Sequence, residues 1–209
     1  MCQLINERSF INNMARITDI NRIKRLKDST MKLVVEKGFG GASASMIALD
    51  AKVASGYFYM HYKGKYEMVN ALLQDVFQEA VHKIEEFIES EHSFSHIVNQ
   101  IVDYIFNMAI EDPVKIKFLH VLSNDYNFVF DDEVRNKLLG FLNRLKVLGK
   151  NTNSLDPNIN EGDLYQLLIV NTIQYINFRF IFFESNGELT NEEKEHILYI
   201  IHKVLRKNR

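Results

Sequence analysis

Residues that turn a chain are scarce here: two prolines and nine glycines are spread over 209 residues. An all-β fold needs many more turns than that, and the frequent Leu, Ile, Lys and Glu are good helix formers. The expected fold class is therefore all-α. From Asn21 to Lys37 apolar positions recur at Ile23, Leu26, Thr30, Leu33 and Val34, with Arg and Lys opposite, and Gly38 stands where a helix should stop. Between Lys65 and about Glu91, Val69, Leu72, Leu73, Val76, Phe77, Ala80, Ile84, Phe87 and Ile88 form one stripe, a helix roughly 40 Å long at about 1.5 Å per residue. Further helices are predicted over Ser93 to Glu111, Pro113 to Ser123, Asp131 to Lys150, Glu161 to Glu184 and Asn191 to Lys207. Pro113 suits a first turn, and the Asn-rich stretch Asn151 to Asn160 reads as a loop.

At 46% apolar and 25% charged residues, the composition is that of an ordinary globular chain, large enough for one good core or two modest ones. The net charge of −2 conceals an asymmetry. Met14 to Glu67 carries ten Lys/Arg against five Asp/Glu, whereas Met68 to Arg209 carries fourteen against twenty-one. A basic head on an acidic remainder fits a nucleic-acid module joined to a domain with another task. Cys2 is the single cysteine, which excludes an intramolecular disulfide and any Cys-rich zinc site and fits a reducing cytoplasm. No secretory signal is apparent. Met14 reads as an alternative start, and residues 1–16 are expected to be a flexible extension.

Chemistry concentrates in Val53 to Glu67, VASGYFYMHYKGKYE. Small residues at Ala54, Ser55 and Gly56 let the start of a short helix approach a duplex closely. Tyr57, Tyr59, His61, Lys63 and Lys65 supply hydrogen-bond donors and positive charge for phosphates and base edges. Phe58 and Tyr62 are expected in the core. Upstream, Ser43 to Ala51 reads as a second short helix with Ile47, Ala48 and Ala51 on its buried side and Ser43 as its N-cap. Joined through Lys52 and Val53, the two make a helix-turn-helix. The Gly38, Gly40, Gly41 cluster is not read as a nucleotide loop, because no strand precedes it and Ser43 stands at the third glycine position.

Gly38-Phe39, Ala42-Ser43, Ile47-Ala48, Ala51, Val53, Gly56, Tyr59, Tyr62 and Lys65 follow in register the N-terminal pattern of the TetR/AcrR transcriptional regulators, which the chain resembles from Ile17 to about Met68. Two positions depart from it: Lys52 replaces a turn glycine and Ala54 a capping serine. The resemblance implies a three-helix DNA-binding domain over 17–66 and a helical ligand-binding and dimerisation bundle over 67–209. It implies that Tyr59 and Lys65 grip phosphates, with Ser43, Lys52, Ser55, Gly56, Tyr57, His61 and Lys63 completing the DNA-binding set. It further implies a cytoplasmic homodimer, paired through the last two helices, on a palindromic operator with reading helices about 34 Å apart. A small-molecule effector would release it.

For that effector the bundle offers Tyr104, Met108, Phe118, His120, Tyr126, Phe141, Asn171 and Tyr175, an aromatic set with polar tips suited to an apolar or aromatic ligand. Phe106, Phe128, Tyr165 and Phe178 extend the aromatic pool, and ordinary core packing is the more frequent role for any single one of these side chains. His120 and Asn171 are the polar positions of first interest. His92 and His96 share a helix spacing, but beyond the adjacent Glu91 no further ligand completes a zinc site, so no metal and no cofactor are expected. The sequence holds no Gly-x-Ser-x-Gly elbow, no His-Glu-x-x-His and no internal cysteine, so catalysis has no visible seat. Leu164 to Phe183 is apolar enough to raise a membrane span, but Gln166, Asn171, Gln174, Asn177 and Arg179 interrupt it. The leading expectation is thus a ligand-responsive transcriptional repressor, and the alternative is a small helical enzyme or ligand carrier without DNA binding.

Overall fold

The computed structural model describes residues 2–90, 93–182 and 189–206. The chain divides into two compact units, Met1–Leu72 and Leu73–Arg209, and every regular element among the described residues is helical. The first unit holds α1 (Cys2–Gly41), α2 (Ala44–Asp50), α3 (Ser55–His61) and the start of α4 (Lys65–Ser90). The helical course of α1 begins at Cys2, well before the periodicity that starts at Asn21. It is broken at Gly38, whose φ of 73° is a backbone state that glycine adopts without a Cβ penalty. The predicted stripe is the inner face: Leu26, Thr30, Leu33 and Val34 are buried and pack with Phe39, Ile47, Ala48, Ala51, Phe58, Met68 and Val69 in the first core.

The second unit is built round α5 (Phe94–Glu111), which packs against α6 (Pro113–Ser123), α7 (Asp132–Asn151), a π-helical stretch (Tyr165–Val170), α9 (Asn171–Phe182) and α10 (Asn191–Leu205). Nine of its residues are buried, from Phe94 to Ala109. The caps expected of such helices are present. Ser93 accepts from the His96 N–H, Asp112 from Lys115 ahead of Pro113, and Asp131 from Val134. Thr190 and Glu193 close a reciprocal capping box on α10.

One element differs from its sequence reading. The segment expected to be a single helix from Glu161 consists of α8 (Glu161–Leu164), the π-helix and α9. Hydrophobic periodicity does not reveal wider i→i+5 bonding, which packing imposes and which recurs at functional sites. Glu184 and Phe183, at the expected end of that helix, lie outside the described residues. On α9, Thr172, Ile173, Ile176 and Asn177 face inward, while Phe178, Ile181 and Phe182 are exposed. Among the described residues no helix is long and apolar enough to cross a membrane.

Candidate nucleic-acid interface and effector cavity

Helices α2 and α3 are joined by a tight C-terminal turn. The Lys52 N–H donates to the Leu49 carbonyl and the Val53 N–H to that of Ala48, the pair of bonds that ends a helix in a left-handed residue. That residue is Lys52, at φ 55°, in the place where the family pattern carries glycine. Ala54 begins α3 with no side-chain cap bond. From α1, Arg25 donates through Nε to the Ala51 carbonyl at 2.9 Å, and Lys32 meets Asp50 at 2.6 Å, which holds the Asp50 carboxyl below its usual range. Phe58, fully buried, anchors α3, and Tyr62 is half-buried beside it.

The predicted DNA-contact residues fall into two groups. Ser43, Lys52, Ser55, Gly56, Tyr59, His61 and Lys63 are exposed on the first unit, with Tyr59 56% accessible. Ser43 also caps α2 through the Met46 N–H. A Cβ added at Gly56 would meet nothing within 4 Å, so the fold itself does not require a small residue there. The other two are engaged inside the unit. Tyr57 donates its hydroxyl to Asp19, with Arg22 over its ring and His61 beside it, and burial, followed by Asp19, pushes its pKa up to about 12. Lys65 donates its ammonium to the carbonyls of Phe39 and Ala42 and lies 4.3 Å from the Phe39 ring centroid, so it clamps the loop between α1 and α2.

In the second unit, α4, α5, α6, the α6–α7 loop, the π-helix and α9 line a partly open cavity of about 70 Å³. Its wall is hydrocarbon. Val76, Phe77 and Ala80 come from α4, Ile101, Tyr104, Ile105 and Met108 from α5, and Ile116, Leu119 and Ser123 from α6. Phe130, Tyr165, Ile169 and Ile173 complete it, and Phe77 meets Phe130 edge-on. Of the eight effector candidates, Tyr104 and Met108 line this space.

The rest are elsewhere. Phe118 and Phe141 are buried in packing, and Tyr126 is fully exposed on a loop. Tyr175 stacks on Phe106 and reaches Glu193, and Asn171 is exposed and accepts from Gln166. His120 takes part in a polar cluster with Asn124 and the buried Asn177, and burial lowers its pKa. Sequence reasoning missed Phe77 and Phe130, because nothing in one-dimensional spacing tells an aromatic that borders a void from one that fills the core. His92 and Glu91 lie outside the described residues, His96 pairs with Gln100, and no metal-holding group of three appears among the described residues.

The family model for bacterial regulatory proteins of the tetR family matches residues 26–72. A second model, for the replication factor C C-terminal domain, matches residues 65–127. The fatty acid metabolism regulator protein of Bacillus subtilis (strain 168) is 20% identical over 178 residues, spanning 85% of this chain and 89% of that protein. A TetR-family regulator from Marinobacter aquaeolei VT8 superposes with a TM-score of 0.74 at 14% identity, covering 92% of this chain and 100% of its own. The Bacillus subtilis regulator FadR, solved in complex with stearoyl-CoA, gives 0.69 at 15% identity, covering 88% and 99%. A tetR-family signature thus lies over the helix-turn-helix, and the fold of such regulators extends along about nine-tenths of the chain.

Proposed function

We propose that the protein is a cytoplasmic homodimeric repressor that holds a palindromic operator through α2 and α3 and lets go when a small apolar molecule enters the cavity of the second unit. The observation that carries this reading is the pairing, in one chain, of an exposed donor-rich reading helix with a hydrocarbon-lined cavity. Helix α4 contributes to both: Lys65 at its start clamps the α1–α2 loop, and Val76, Phe77 and Ala80 further along line the cavity. A ligand pressing on those three side chains would tilt α4 and change the spacing of the two reading heads. To abolish a roughly thousandfold operator preference, the ligand must bind the DNA-incompetent form about 4 kcal/mol more tightly in total. That a relative binds stearoyl-CoA supports an apolar effector of comparable kind.

The exposed apolar face of Phe178, Ile181 and Phe182 on α9, with Tyr199, Ile200 and Val204 on α10, supports pairing through the last two helices. The DNA-contact set is assigned as Ser43, Lys52, Ser55, Gly56, Tyr59, His61 and Lys63. Tyr57 and Lys65 are given the task of holding α3 and the loop in place. Electrophoretic mobility with promoter fragments, including the one beside the protein's own gene, tests the reading. A sequence-selective shift that weakens steeply with salt is expected; an absence of any shift at micromolar protein would refute it.

A further inference from the structure

The cavity, taken as the effector site, carries one detail that defines its occupant more closely than apolarity does. No ionised side chain lines it; its polar atoms are the hydroxyls of Tyr104, Ser123 and Tyr165. Two of these are accounted for, since Ser123 donates to the Leu119 carbonyl at 2.8 Å and the Tyr165 hydroxyl pairs with Ser123. The Tyr104 Oη is buried and bonds to no described residue. A buried hydroxyl without a partner is destabilising, and in native proteins it calls for a ligand or water to complete it.

The surroundings of Tyr104 select which ligand. Lys83 sits over its ring at 5.1 Å, and Lys115 is drawn to Glu79 at 3.5 Å. Glu79 and Glu111 are the two carboxylates that act on the phenol. Burial, and then those carboxylates, push its pKa up to about 12, so the group remains a proton donor at neutral pH. An anionic oxygen placed against it would give up its hydration to a wall that holds no charged side chain, with Lys83 on the ring rather than at the hydroxyl and two carboxylates acting on the phenol.

We propose that the cavity receives an uncharged lipophile whose ester or thioester carbonyl oxygen, or alcohol oxygen, accepts a hydrogen bond from the Tyr104 hydroxyl, and that it discriminates against the matching free carboxylate. The proposal rests on the cavity being the effector site, and its test separates the two. Full-length protein is loaded with the fluorescent apolar probe N-phenyl-1-naphthylamine, and displacement by dodecanol, methyl laurate and laurate is measured at pH 7.5 for the wild type and for Tyr104→Phe. The alcohol and the ester are expected to displace the probe at roughly a tenth of the laurate concentration or less, since stripping a carboxylate of water is far costlier than stripping an ester. Tyr104→Phe should weaken the alcohol and the ester about fivefold, the worth of one neutral hydrogen bond, relative to the probe affinity measured for the variant itself, and its far-UV circular dichroism should match the wild type, which verifies its fold. Laurate competing as well as its ester, or a Phe variant indistinguishable from wild type, overturns the proposal and leaves the cavity reading standing. Failure of the probe and of all three lipophiles to bind the wild type overturns the cavity reading, and the proposal with it.

Discussion

Five single residues in the reading head allow stability to be separated from DNA contact. Lys52 holds φ 55° in the turn, a left-handed state that costs a side-chain-bearing residue about 1–2 kcal/mol. Glycine there recovers most of this, less its own entropy cost, so Lys52→Gly should stabilise the protein by about 0.5–1 kcal/mol in thermal unfolding. Ala54→Ser restores the missing cap of α3 and should add about 1 kcal/mol. Gly56 is the more discriminating case. Because its Cβ direction is open, Gly56→Ala should raise stability by up to about 1 kcal/mol, as in any exposed helix. It should also lower operator affinity severalfold if α3 must come close to the bases. An alanine variant that binds DNA like wild type would remove Gly56 from the contact set. Lys63→Ala and Lys65→Ala should likewise differ: the first lowers the salt slope of a dimer by about 2 without changing stability. The second releases the loop carbonyls and costs about 1–2 kcal/mol of stability.

At the scale of elements, the glycine with the least room beside it among the described residues stands where α7 ends. A Cβ on Gly149 would come within 2.8 Å of both Leu155 and the Phe94 ring. Neither Phe94 nor Leu155, both buried, has room to retreat. Gly149→Ala should therefore destabilise by about 1–3 kcal/mol, despite alanine's better helix propensity, in chemical unfolding. Between α6 and α9, the Asn177 amide lies 3.0 Å from His120 Nε2, an arrangement that a neutral imidazole accepts and a protonated one cannot. Burial lowers the His120 pKa below its usual 6.5, and burial, followed by Arg206, lowers that of His202. The unfolded chain then binds more protons than the folded one. The contribution of both residues is complete above pH 6.5 and is lost as pH falls through their depressed folded values. Unfolding midpoints measured from pH 8 down to pH 5 should fall below pH 6.5, and His120→Gln should reduce that fall.

For the molecule as a whole, the proposed pairing through the last two helices is the property to test. An aspartate at Ile181, on the exposed face of α9, is expected to leave the monomer folded and to shift it from dimer to monomer in sedimentation. Operator binding should weaken by orders of magnitude, because the two heads then bind independently rather than as one ligand. A dimer that persists in Ile181→Asp would place the pairing surface elsewhere.

The helix-turn-helix was legible from residues alone because local chemistry decides it: the breaker at Gly38, the cap at Ser43, and the small and tyrosine positions of α3 act on their immediate neighbours. The amphipathic stripes likewise disclosed which side of each helix is buried, since a 3.6-residue period has one physical meaning. What sequence left open was decided by contacts between residues far apart in the chain. Lys65 and Tyr57 carry donors fit for phosphate, and only the folded unit directs them to the carbonyl of Ala42 and to Asp19. Phe77, Phe130 and Tyr165 have the same apolarity as Phe118 and Phe141, yet the first three border a void and the last two fill the core. A cavity is what side chains from four helices, a loop and a π-helical stretch fail to fill together. No single stretch of residues contains that information, so it appears only when the elements are packed.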